Sequence, residues 1–266
     1  QALTHTQEKR RKAIKDLDEA AHLYLFTKPD ATGRITLSRR GIIAVGGITA
    51  TGYYLLRLLL RDLLHRYPWY RLLQKKADRT KLFELYFLSI LNAAIMGGHS
   101  VRKLIVGGHH GTTRMLSAAL GYFVHDFYAM RYEFRNDVGM LFHHLIAIYG
   151  SALCVGRPQL HKYVATWSAT ELSSVFLGLR WLLAETGQTS TRAYKAVLVL
   201  FGSSFFATRI WNIWRPGGAM RTLWDDPDVQ KLPWWHPLRG GVTALSCLNI
   251  FWFWKILKMA RRQFAQ

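Results

Sequence analysis

Acidic residues are scarce in this chain: 16 Asp and Glu stand against 36 Lys and Arg, a formal net charge of +20. Cysteine is scarcer still. Cys154 and Cys247 are too few for a disulfide framework or a zinc site, and both fall inside apolar runs, where cysteine acts as a small hydrophobe. No P-loop, dinucleotide fingerprint or H-E-x-x-H pair occurs. The stretch GGHSVRKLIVGGHH (97–110) holds His99, His109 and His110, but not at metal-ligand spacing, so neither a metal nor a cofactor is expected. Internal repeats and low-complexity tracts are missing too. A nucleic-acid-binding chain would gather its cations on one face or in one module under a recognisable motif. Here they are spread over almost every loop, so nucleic acid is not the expected partner. The chain opens on Gln1 without the apolar core of a signal peptide, which fits removal of a basic, organelle-directed presequence.

Apolar residues, by contrast, are abundant. They make up 50% of the chain, and 14% of it is aromatic. High apolar content with a basic remainder predicts a polytopic membrane protein whose loops carry the charge. Seven segments have the length and composition for a roughly 30 Å hydrocarbon core, allowing for error at their ends. They run 41–64, 82–98, 115–130, 138–155, 163–184, 193–214 and 242–260. The fold class is therefore all-α, a bundle of six or seven transmembrane helices. In the first segment Gly46, Gly47, Ala50 and Gly52 invite close helix approach, and Arg57 and Arg61 reach toward one interface. The loop 214–241 holds Trp224, Trp234 and Trp235 and reads as interfacial. Lys and Arg are divided too evenly between the loops on the two sides to fix an orientation.

Ahead of the first segment, residues 1–40 form a polar arm. Ala13, Leu17, Ala20, Ala21 and Leu25 fall at helical spacing, which predicts an amphipathic helix ending before Pro29 and Gly33. Residues 1–37 are expected to contact other protein subunits. The basic loops suit anionic phospholipid headgroups, at roughly 1 kcal/mol for each cation near the surface.

Ionisable groups at membrane depth are expensive, so they mark a function or a pairing that offsets their cost. Candidates are His125 and Asp126, the adjacent His143 and His144, Glu171, Arg180 and Arg209. Neighbouring histidines point about 100° apart on a helix, so only one can face the bundle centre squarely. One could act as general base or acyl acceptor, with Asp126 or Asp137 orienting it. Ser168, Glu171, Ser174 and Gly178 share a helical stripe whose small members let a neighbour approach the acid. Arg209 or a histidine is its expected partner. Arg180, Arg209 and Arg57 are the candidate lipid-binding cations, and a cavity lined by His144, Glu171 and Asp126 is expected to open to lipid.

Several motifs succeed one another on consecutive segments: GYFVHD (121–126), Asp137 to His143–His144, ATELSSVFLGLRWLL (169–183), FFATRIW (205–211) and LNIFWFW (248–254). In that order they resemble the TLC-domain proteins, which include translocation-associated membrane proteins and ceramide synthases. The resemblance covers about residues 41–260, flanked by the arm and a basic tail, 261–266. It implies a membrane domain and, from the ceramide synthases, a catalytic role for His143 and His144 in transferring an acyl group from acyl-CoA to a long-chain amine. Those enzymes continue toward a DxxD pair on the next span. Here the corresponding stretch holds His161, Ser168, Glu171, Ser173 and Ser174 and no aspartate pair. The expected function is therefore a non-catalytic, lipid-binding accessory or structural subunit of a larger assembly, with the mitochondrial inner membrane suiting the charge. The alternative is an acyl-CoA-dependent lipid N-acyltransferase of the endoplasmic reticulum, using His143 and His144 with Asp126 and Glu171.

Overall fold

The computed structural model describes residue 12 and residues 38–68, 70, 80–106, 112–131, 137–155, 157, 160–215, 218–231 and 235–265. The amphipathic helix expected in the arm, and His109 and His110, lie outside them. The described residues form helices and no strand. In chain order they are α1 (Arg39–His65), α2 (Thr80–Val106), α3 (Thr112–Ala129), α4 (Val138–Val155), α5 (His161–Ser168), α6 (Leu172–Glu185), α7 (Arg192–Phe205), α8 (Asn212–Trp214), α9 (Ala219–Asp225), α10 (Pro227–Gln230) and α11 (Trp235–Phe264). A 3-10 turn, Ala169–Glu171, joins α5 to α6, and a π-helical turn, Phe206–Trp211, joins α7 to α8.

Among the described residues, four stretches are long and apolar enough to cross a membrane: Arg40–His65, Val138–Val155, Arg192–Trp214 and His236–Phe264. The other three predicted segments also carry polar groups inward, and their hydropathy or unbroken length falls short. α2 holds Glu84 and Asn92, α3 holds His125 and Asp126, and α5–α6 is broken at the 3-10 turn that ends on Glu171.

α1 shows how the bundle is polarised. Gly46, Thr49, Tyr53 and Arg57 recur every three or four residues, so they share one face. That face turns inward: Thr49 donates to the Ser117 carbonyl (3.1 Å), Tyr53 to Asn92 Oδ1 (3.1 Å) and Arg57 Nε to Glu84 Oε2 (3.2 Å). Ile43, Ile48, Leu55 and Leu59 cover the outside. A soluble helix does the reverse. In a bilayer the polar stripe must be satisfied by neighbours, and the apolar stripe meets lipid.

Close approach is made at fewer glycines than expected. A Cβ on Gly121 would lie 2.0 Å from Thr49 Oγ1, so α1 and α3 touch there, with Gly46 close to Leu120. Gly47 and Gly52 face open space. α2 and α6 are knitted at Gly97, against the Leu172 backbone, and at Gly178, against Ile90.

The loop 214–241 is not a surface connection. It contains α9 and α10, and Leu223 and Val229 are buried in the main core with Met115, Leu116 and Leu238. Burying two leucines and a valine contributes about 1.5–3 kcal/mol for each side chain. α11 accordingly begins at Trp235, ahead of the expected 242, with Pro237 in its first turn, where no helical N–H is lost. Of the two cysteines, Cys154 is buried as expected and Cys247 is exposed; both are free thiols.

Candidate functional site

α2, α3, α4, α6, α7, the π turn and α11 line a cavity of about 430 Å³. Asp126, His143, His144, Glu171, Arg180 and Arg209 all line it, so the fold brings together most of the charged groups expected at membrane depth. Leu85, Phe123, Leu177, Phe201, Phe205, Trp252 and Ile256 supply apolar wall between them. A smaller, almost wholly apolar chamber of about 150 Å³ adjoins it, between α4, α5 and α11. Phe123, His143, Glu171 and Arg209 line both, and form the partition.

His144 is held at both nitrogens. Nδ1 lies 2.9 Å from the Met140 carbonyl, one turn back on α4, and Nε2 lies 2.6 Å from Asp126 Oδ2 on α3. A carbonyl only accepts, so Nδ1 carries a proton. A second proton lies between Nε2 and the carboxylate. On either atom, it leaves the pair with no net charge. That neutrality is what makes a buried histidine–aspartate pair tolerable at membrane depth. Asp137, the other aspartate weighed as orienting group, is exposed and caps α4 by accepting the Met140 N–H at 3.0 Å.

His143 has the opposite surroundings. Its ring meets the edges of Phe123 and Trp252, with centroids 6.3 and 5.8 Å away, and stands at 90° to the His144 ring. Its Nδ1 is buried and has no hydrogen-bond partner. The adjacent pair thus divides into one fixed histidine and one uncommitted histidine at the partition.

Glu171 and Arg209 meet across the cavity, at 3.7 Å between Oε1 and Nη2. Ser174 bridges them: Nη2 donates to its Oγ at 3.0 Å, and the Oγ donates to Glu171 Oε2 at 3.3 Å. Arg209 Nε is shared between Ser173 Oγ (2.9 Å) and the Thr170 carbonyl (3.1 Å), and Nη1 reaches Asn249 Oδ1 at 3.3 Å. Phe205 lies under the guanidinium, 5.3 Å from its carbon. Each of the three guanidinium nitrogens is thus engaged.

Both members of this pair sit where a helix departs from α geometry. Glu171 ends the 3-10 turn, and Arg209 lies in the π turn. A π turn inserts one residue and rotates the rest of the helix about its axis; such bulges recur at functional sites. The 3-10 turn also interrupts the stripe expected from Ser168 to Gly178. Ser174 still faces the acid, while Gly178 packs on α2.

Arg180 also lines the cavity. It makes long contacts to Tyr194 Oη (3.3 Å) and Met259 Sδ (3.5 Å), and its Nε has no partner. Arg57 is not brought to the site. It pairs with Glu84, which also accepts from Tyr70 Oη at 2.9 Å, in a buried network between α1 and α2.

Sequence reading missed Thr170, Phe123, Trp252 and Lys255 as members of this site. Thr170 acts through its carbonyl, which no side-chain pattern reveals. Asn249, polar within an apolar segment, was the one recoverable signal.

Comparison with known proteins bears on this arrangement. The TLC domain matches residues 81–258, which hold every charged group of the cavity. An uncharacterized TLC domain-containing protein of Schizosaccharomyces pombe is 29% identical over 147 residues, 54% of this chain and 50% of that protein. The chain thus spans about half the length of the curated relative it matches. With four helices fit to cross a membrane and a family match over most of its length, the chain is an integral membrane protein and belongs to the TLC-domain family.

Proposed function

We propose that the chain holds a membrane lipid in its cavity as a non-catalytic accessory or structural subunit of a larger membrane assembly. The observation that carries this reading is the mutual saturation of the polar groups. His144 has both nitrogens engaged, and Arg209 donates to four acceptors. Such networks fix helices in one register and leave little for a reaction to use. Apolar walls, with few polar groups converging between them, suit an amphiphile. An anionic membrane such as the mitochondrial inner membrane suits a chain of net charge +20. The test is purification in mild detergent, then mass spectrometry of extracted lipid and of the intact particle. A stoichiometric lipid and co-purifying subunits are expected. A lone, lipid-free chain would sink the proposal.

One observation favours a second reading, an acyl-CoA-dependent N-acyltransferase. The uncommitted Nδ1 of His143 stands at the partition of the two chambers, beside a histidine fixed by Asp126. In that role His143 would be the base or acyl acceptor, and His144 the group that positions it. Acyl transfer from an acyl-CoA to a long-chain amine, present in the wild type and abolished in His143→Gln, would establish this reading and overturn the first.

A further inference from the structure

We infer that the mouth of the larger cavity is a phosphate seat, formed by Arg180 and Lys255, for a phosphate-bearing amphiphile. This rests on the cavity being a lipid site and names the chemistry it selects.

The inference comes from pairing off the cavity's charges. Asp126 shares a proton with His144, Glu171 is tied to Arg209 and Ser174, and Asp137 caps α4. Arg209 has its charge met by Glu171 and a donor on each nitrogen already engaged. Arg180 and Lys255 remain. Among the described residues neither has a carboxylate within 4.0 Å. Arg180 lies partly buried with Nε unpartnered, and its two contacts are with a phenol and a thioether. A guanidinium withdrawn from water with open donors is matched by a planar or tetrahedral oxyanion. A neutral ligand can accept from Nε but leaves the guanidinium charge without a counter-ion.

Lys255 is close by. Met259, which touches Arg180, lies one turn further along α11 than Lys255, and both line the cavity. The Lys255 ammonium sits 4.5 Å from the Phe251 ring, a contact that leaves donors free for an anion.

The depth is right as well. Gln263 Nε2 donates to the Thr189 carbonyl at 3.0 Å, so the end of α11 meets the turn between α6 and α7. Arg180 lies five residues before the end of α6, about 8 Å at 1.5 Å per residue. That puts it about where a headgroup gives way to its chains. Lys258, Arg261 and Arg262 continue the basic character outward along α11.

Phosphate could reach this seat from a glycerophospholipid or from an acyl-CoA; the recognising chemistry is the same. The test incubates the purified full chain with phosphate-free alkyl-maltoside micelles carrying phosphatidic acid, diacylglycerol of the same tails, or a long-chain acyl-CoA. Bound lipid is then quantified after re-isolation. The wild type should retain one of the phosphate-bearing probes over diacylglycerol about tenfold or more, and which one names the source. Lys255→Gln and Arg180→Gln should each lose most of that preference, and Lys255→Arg should keep it. Lys255 is exposed, so its variant does not threaten the fold; the unfolding temperature checks Arg180→Gln. Equal retention of diacylglycerol and phosphatidic acid, or an unchanged preference in both glutamine variants, overturns the phosphate seat and leaves a lipid cavity standing. No retained lipid of any kind overturns both.

Discussion

Asp126 Oδ2 lies 2.6 Å from Nε2 of His144, whose other nitrogen already donates to the Met140 carbonyl. The pair needs two protons and no net charge. An amide can therefore take the carboxyl's place: Asn donates to Nε2 of a neutral imidazole whose Nδ1 keeps its proton. Asp126→Asn should unfold within about 1 kcal/mol of the wild type. Asp126→Leu, which leaves Nε2 bare in a buried site, should cost about 1–3 kcal/mol. Unfolding in detergent, monitored by circular dichroism, measures both. Asparagine as damaging as leucine would show that the charge itself is needed.

Arg209 should prove the more sensitive position. Its removal strands Glu171, Ser173, Ser174 and Asn249 together, the situation in which breaking a buried ion pair costs about 3–5 kcal/mol. Arg209→Lys should be nearly as harmful as Arg209→Met, because an ammonium cannot reach acceptors arranged around a planar fork. Glu171→Gln in the Arg209→Met background should recover part of the loss, since it removes the uncompensated charge. A double-mutant cycle on unfolding free energies reads that coupling.

The helices of this bundle were legible because apolar runs of membrane length survive any rearrangement of their neighbours; 138–155 coincides with α4. Asp126 was expected to orient one of the two histidines, with Asp137 as the alternative. Which histidine Asp126 would face, and that Met140 would take the other nitrogen, depends on the rotation of α3 against α4. Local periodicity does not encode that rotation. The 3-10 and π turns that aim Glu171 and Arg209 were illegible for a related reason. Both are compromises imposed by packing, within sequences whose propensities read as ordinary helix. In the loop 214–241 the tryptophans stand out, while the leucine and valine that anchor it in the core, Leu223 and Val229, are inconspicuous.

Glycines should separate cleanly by partner. Gly121→Ala places a methyl inside Thr49 and should destabilise the α1–α3 contact by about 1–3 kcal/mol, as overpacking does. Gly47→Ala points into open space and gains helix propensity, so it should not destabilise. Unfolding temperatures of the two variants, compared side by side, check the assignment of the inward face of α1.

The apolar chamber beyond His143 predicts a length limit for whatever tail the cavity holds. Gly150 lines that chamber seven residues after His143, about 10 Å along the axis of α4 and two turns on, so the two share a face. A Cβ there meets nothing within 4 Å, so a larger side chain is accommodated by the chamber and not by displacement of the helices. Gly150→Leu should leave the unfolding temperature close to the wild type and take up space a tail would occupy. Each buried methylene a tail forfeits costs about 0.8 kcal/mol, so excluding two should lower retention of the longer tails about tenfold. Mass spectrometry of lipid carried by wild type and variant gives the tail distribution directly. A shift toward shorter tails in Gly150→Leu, absent in Gly47→Leu on the outside of the bundle, places the tail in this chamber. An unchanged distribution means that the tail lies elsewhere, along the open side of the larger cavity.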